Sequence, residues 1–308
     1  KTLEHAGAQR PLVVIFDDVH SGEETFLDLV EHVALLSSGS PILLICISRP
    51  ELIDRRAEWL VQLRLEPLPA EDVESLIPAR IDKALREQIA RAAGGNPLFV
   101  GEMLAMAGGG EGEMVVPPTL QALLAARLDQ LETAERTVLE CGAVEGQVFH
   151  RGAVQALATG EEAVTRRLAA LARKQLITPD KAQIRGEDGF RFRHLLIRDA
   201  AYDALPKAER ADLHARFAGW LEEHGRAVVE LDELLGYHLE QAVRCRSELG
   251  LEDVELAAAA QERLSTAGRR ALSRLDFGSA ARLLERAAAL GPASEVDLSL
   301  ETDLIDAL

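Results

Sequence analysis

Two adjacent acids, Asp17 and Asp18, close an unbroken apolar run, Pro11-Leu12-Val13-Val14-Ile15-Phe16. Hard divalent cations prefer oxygen ligands, so Asp17 could hold Mg²⁺ directly or through water. Asp18 could orient or deprotonate an attacking water. A second apolar run, Ile42 to Ile47, ends in Ser48-Arg49-Pro50, so Arg49 could sense a terminal phosphate from the neighbouring strand. Acids also end strands and cap turns without any ligand, and the dipeptide by itself reads more readily that way. His20 reads as an exposed turn histidine. Cys46, Cys141 and Cys245 match no C-x-x-C or Cys/His metal spacing and read as reduced buried thiols.

These residues need elements to hold them. A run without alternation suits a strand buried on both faces, as in parallel sheets. Ser21-Gly22-Glu23-Glu24 has the capping-box pattern, with Ser21 as N-cap and Glu24 at N3. Phe26, Val30 and Val33 then repeat at helical spacing. Strand, helix and strand form a βαβ unit with a right-handed crossover. Ligands of open parallel sheets sit at the carboxyl ends of strands, where Asp17, Asp18 and Arg49 fall. An apolar strand closed by two acids is the Walker B pattern.

The remainder reads as helical. Residues 70–77 and 81–92 form short helices, and Asn96-Pro97 is an N-cap followed by proline at the first helical position. Gly108 to Gly112 marks a domain boundary. Pro117-Pro118-Thr119 starts a helix with Leu120, Leu123, Leu124 and Leu128 on one face. Helices near 133–144, 150–157 and 161–174 follow, then short apolar pieces at 176–177, 183–184 and 190–192. Three helices and a hairpin predict a winged helix. From Pro206 onward helices pair, and Ala267-Gly268, Ala271, Ala280-Ala281 and Ala287 resemble the small-residue packing of a tetratricopeptide repeat. A second repeat is expected to begin near Ala293.

The 308 residues carry a formal net charge of −17, which argues against broad nucleic-acid binding. The third winged-helix segment holds Arg166, Arg167, Arg173 and Lys174, with no interleaved aromatics, so direct DNA binding by it is not expected. No apolar run approaches the roughly 20 residues of a membrane span, and a cytoplasmic location is the expectation.

Val14-Ile15-Phe16-Asp17-Asp18-Val19-His20, Ser48-Arg49-Pro50-Glu51-Leu52, Gly94-Gly95-Asn96-Pro97-Leu98-Phe99-Val100 and Phe192-Arg193-His194-Leu195-Leu196-Ile197-Arg198-Asp199-Ala200-Ala201-Tyr202 occur in order. The succession resembles the AAA-like ATPase segment of bacterial STAND regulators. It looks most like large proteins in which this ATPase follows a class III adenylate/guanylate cyclase domain and precedes tetratricopeptide-like repeats. Two departures stand out. Ser21 occupies a position where members commonly have tryptophan, and no G-x-x-x-x-G-K-[ST] phosphate loop occurs. The chain is therefore expected to begin inside the ATPase domain, and alone not to bind ATP tightly or hydrolyse it.

The resemblance implies an α/β fold followed by mostly α structure. Residues 1–69 would be the C-terminal half of a P-loop ATPase core, 70–112 a helical lid, 113–205 a winged helix and 206–308 tetratricopeptide-like repeats. It implies ATP/ADP and Mg²⁺ as cofactors in the intact protein. Pro97 would lie near the base, and His194 near the β-phosphate of ADP. A well-capped helix and a partly buried helix-start histidine explain the same two residues without any ligand. The implied function is a nucleotide-dependent regulatory switch controlling a linked cyclase. A partner would bind on the repeats, and the active form would self-associate. A LuxR-like transcriptional regulator segment and a catalytically dead scaffold are the alternatives.

Overall fold

The computed structural model describes residues 2–37, 39–49, 52, 56, 59, 63–107, 119–159, 163–291 and 297–307. The chain divides into two compact units, Lys1–Glu66 and Pro67–Leu308. The expected Gly108–Gly112 boundary, Pro117-Pro118, Pro50-Glu51 and the repeat start near Ala293 lie outside the described residues.

In the first unit, helix α1 (Thr2–Gln9) precedes strand β1 (Leu12–Phe16), helix α2 (Glu24–Leu36) and strand β2 (Ile42–Cys46). The two strands pair in parallel, from Leu12 opposite Ile42 to Phe16 opposite Cys46. The expectation of burial on both faces fails here. Leu12, Val14 and Phe16 are half-buried while Val13 and Ile15 are exposed, and β2 repeats this alternation. Apolarity on both faces does not by itself say that both are covered. The capping box is also misplaced. Val19–Ser21 forms a 3₁₀ turn, and α2 starts at Glu24 with Glu23 as its N-cap. Tertiary pairing overrides the local pattern, because the Val19 N–H donates to the Ile47 carbonyl at 3.0 Å and closes the turn early. Glu24 instead pairs with Arg56, which also meets Asp28 and Glu31.

The second unit opens with helices α3 (Ala70–Leu76), α4 (Lys83–Ala93) and α5 (Pro97–Ala107). The starts of α4 and α5 have local causes. The Asp82 carboxylate accepts from the Ala84 N–H at 2.9 Å, and Asn96 Oδ1 accepts from the Leu98 N–H at 2.9 Å. Val73, Ile89, Phe99 and Met103 form their shared core with Leu123 from helix α6 (Leu120–Asp129). Thr119 caps α6 through the Ala122 N–H, at 3.1 Å.

Helix α7 (Thr133–Glu145), strand β3 (Val148–His150), helices α8 (Arg151–Leu157) and α9 (Val164–Arg173), strands β4 (Ile177–Asp180) and β5 (Gly189–Phe192) and helix α10 (Leu195–Ala204) follow. The strands form an antiparallel sheet in the order β3-β5-β4. Residues 183–184 are not a strand. Their N–H groups donate to His150 Nε2, at 3.0 and 3.2 Å. His150 therefore carries its proton on Nδ1 and donates it to the Glu145 carboxylate. Phe149, Phe192, Leu139, Leu168 and Leu171 are fully buried at the centre of this part.

Helices α11 (Lys207–His224), α12 (Leu231–Ser247), α13 (Val254–Ser273), α14 (Phe277–Leu290) and α15 (Leu298–Ala307) pack each against the next. The close helix approaches have residue-level causes. A Cβ on Gly236 would lie 2.7 Å from a Leu264 methyl, and one on Gly268 2.7 Å from Leu284. Ala280 and Ala287 are fully buried, and Asp276 caps α14. Where α10, α11 and α12 meet, Tyr202 Oη lies 2.8 Å from His214 Nε2, and His214 Nδ1 lies 2.8 Å from His238 Nδ1. Among the described residues no helix is long and apolar enough to cross a membrane.

Candidate functional site

In the first unit the carboxyl ends of β1 and β2 gather Asp17, Asp18, His20 and Arg49. Asp17 Oδ1 accepts from the Asp18 N–H at 3.0 Å. Asp18 adopts the left-handed conformation, φ 53 and ψ 36, which aspartate tolerates better than most residues. His20 is more than an exposed turn residue. It is partly buried, and its Nδ1 accepts from the Arg49 N–H at 3.4 Å, tying the two strand ends together. Both carboxylates are exposed.

In the second unit a cavity of about 360 Å³ is lined by Pro97, Leu98, Gly101, Glu102, Gln175, Arg193 and His194. Its walls come from two separate stretches of chain. One is the first turn of α5, fixed by the Asn96 cap. The other is the base of the β4–β5 hairpin. Ile177 pairs with Phe192, and this register sets Gln175, just before the hairpin, beside Arg193 and His194, just after it. The Arg193 N–H donates to the Leu176 carbonyl at 3.0 Å, and Arg193 Nη1 donates to Gln175 Oε1 at 2.5 Å. His194 is the N-cap of α10 and makes no side-chain cap. The N-terminal ends of two helices, α5 and α10, thus border one cavity. Such ends carry partial positive charge and attract anions.

The floor holds a buried ion pair. Glu102 and Arg127 are 3 % and 7 % exposed, the guanidinium donates to the Glu102 carboxylate, and a second N–H reaches the Lys174 carbonyl at 2.7 Å. Burial first, and then the positive Arg193, hold the Arg127 guanidinium below its ordinary range. Burial, then Arg193 and Arg127, push His194 below the usual 6.5. The cleft is therefore electropositive with a neutral histidine at its edge.

Pro97 and His194, picked out from the sequence separately, meet at this cavity. Asp17, Asp18 and Arg49 share a strand-end cluster. Sequence reasoning missed Glu102, Arg127, Gln175 and Arg193. A signal existed for two of them. Arg127 follows Leu120, Leu123 and Leu124 at positions i+7, i+4 and i+3, so a charge sits on the apolar face of α6. Arg193 immediately precedes His194.

The chain is 28% identical over 271 residues to an uncharacterized protein of Rhizobium meliloti (strain 1021); the match covers 79% of this chain and 25% of that protein. No model of a known protein family matches the sequence. Among solved structures, a STAND protein, a signal transduction ATPase with numerous domains, from Pyrococcus horikoshii matches 99% of this chain. It has a tetratricopeptide repeat sensor, and the TM-score is 0.55 at 16% identity. The fold resembles that of a STAND protein. The chain spans about half the length of that solved STAND chain and a quarter of the Rhizobium protein.

Proposed function

We propose that this chain is a nucleotide-responsive regulatory segment of a signal-transduction ATPase, and that the cleft lined by Pro97 and His194 takes ADP. One observation carries the reading. Two residues 97 positions apart line one cavity, beside a guanidinium and at the N-terminal ends of two helices. A phosphate fits that environment. Pro97 and Leu98 offer an apolar wall to a base, and Arg193 and His194 offer donors to phosphate. The part from Thr133 to Ala204, with its hairpin of β4 and β5, reads as a winged helix acting as a lid rather than a DNA reader. On the supposed recognition helix, Arg167 and Lys174 are already paired with Glu132 and Glu135, at 2.5 Å each.

In the first unit, Asp17 would hold Mg²⁺ in the intact protein, and its exposed carboxylate suits a hard cation. When bound, that ion would neutralise phosphate charge. Asp18 would orient the attacking water, and Arg49 would sense the terminal phosphate. The helical array from Lys207 to Ala307 would receive a protein partner, and the ATP state would favour self-association. A linked cyclase is the output this reading favours. Binding must differ between the two states for any such switch to work. Titration of the intact protein with ADP and with adenosine, before and after His194→Ala, tests the reading. It requires that ADP bind more tightly than adenosine and that the variant lose that preference.

A further inference from the structure

Two guanidiniums, Arg193 in the wall and Arg127 in the floor, stand at the cleft, and a single carboxylate answers them. Glu102 is committed to Arg127 in the floor. Arg193 has no carboxylate within ion-pair distance among the described residues. Its partner is the neutral side-chain oxygen of Gln175, at 2.5 Å. A guanidinium satisfied by an amide is under-used, because charge-assisted bonds to phosphate or carboxylate are roughly twice as strong as neutral ones. Its planar donor fork also matches two phosphate oxygens at once.

Gln175 is itself held in an unusual state. Lys174 is the C-cap of helix α9, and the Leu176 N–H donates back to the Leu171 carbonyl at 3.1 Å. This is the Schellman arrangement, which puts Gln175 at the left-handed position glycine normally fills. Its φ is +58. A side chain is kept here at a backbone cost, and the contact it makes is the one with Arg193. Both residues line the cavity, and both are exposed enough to exchange partners.

We propose that Arg193 is the principal phosphate-binding side chain of the cleft, and that the Gln175 amide is a place-holder which an incoming phosphate displaces. This deepens the nucleotide reading and rests on it. His194 contributes a donor beside Arg193, and Arg127, tied to Glu102, stays in the floor and does not compete.

The two partners have effects of opposite sign on phosphate binding, which a purely structural pair would not. The intact protein is titrated with ADP, inorganic pyrophosphate and adenosine, into the millimolar range. Arg193→Gln weakens ADP and pyrophosphate by about tenfold or more and leaves adenosine unchanged. Arg193→Lys restores only part of the loss, because an ammonium lacks the fork. Gln175→Gly removes the competitor at a position glycine prefers. It tightens ADP and pyrophosphate by about two- to fivefold, again without effect on adenosine, and does not lower the melting temperature. If Gln175→Gly and Arg193→Gln both weaken ADP, or neither moves it while wild type binds, the proposal is wrong and the nucleotide reading stands. If wild type binds none of the three probes, the nucleotide reading fails and takes this proposal with it.

Discussion

The Glu102 carboxylate and the Arg127 guanidinium form a buried ion pair beneath the cleft, joining α5 to α6, and Arg127 also holds the Lys174 carbonyl just before Gln175. Buried pairs contribute little net stability because both charges are desolvated, yet removing one partner strands the other. Glu102→Leu or Arg127→Met alone should therefore destabilise the protein by about 3–5 kcal/mol. The double variant should recover most of that loss. Denaturant unfolding of the three proteins measures it, and additive losses in the double variant would remove the pair from this role.

Asp17 and Asp18 should separate in the intact protein. Asp17→Ala should weaken binding of Mg²⁺–nucleotide. Asp18→Asn keeps a side chain suited to the left-handed backbone, so binding should persist while hydrolysis slows by about 10²–10⁴-fold. Nucleotide titration and turnover on both variants check this. Wild-type turnover by Asp18→Asn would take Asp18 out of the mechanism.

The two glycines ahead of Pro97 should differ sharply. Gly94 has φ +53 with open space around it, so Gly94→Ala should cost only the left-handed penalty, about 1–2 kcal/mol. Gly95 has φ +83, and a Cβ there would lie 2.6 Å from Pro67 and 2.8 Å from the Leu68 carbonyl. Gly95→Ala should cost about 2–5 kcal/mol, the overpacking added to the backbone penalty. Equal unfolding midpoints for the two variants would contradict the close approach.

Much of the frame was readable because its causes are local. Asn96 and Thr119 cap the helices they were expected to start, the two apolar runs pair in parallel, and His194 opens a helix after a strand. The small residues expected to let helices approach do so, with Gly268 against Leu284. What was not readable depends on residues far apart in sequence. The pattern at Ser21 satisfied the capping rule, yet the Val19–Ile47 hydrogen bond closed a different turn. No local signal tells Gln175 that Arg193 will stand beside it, because only the β4–β5 register joins them. The same holds for His214 and His238.

That histidine pair makes stability depend on pH. Burial first, then Arg198, Arg244 and Arg210, push His214 to about 3. Burial, then His214 and Arg198, hold His238 well below 6.5. Unfolding frees both to take up protons below 6.5, so their contribution is intact above 6.5 and is lost as pH falls. Glu140, raised to about 7 by burial, acts in the opposite sense, so a difference measurement is needed. His238→Gln should reduce the loss of stability between pH 6.5 and 5 by about 2 kcal/mol relative to wild type. Parallel pH profiles for the two proteins would refute the assignment.

The central claim is that phosphate seats at His194. The most direct test follows the imidazole signals of the histidine-labelled chain by NMR during separate titrations with ADP and adenosine. A phosphate beside His194 would relieve the repulsion from Arg193 and Arg127 and favour the protonated ring. The account predicts that ADP shifts the His194 signals and raises its titration midpoint, while adenosine does neither and the buried His214 and His238 signals stay still. An unmoved His194 at ADP concentrations that saturate the protein would contradict it.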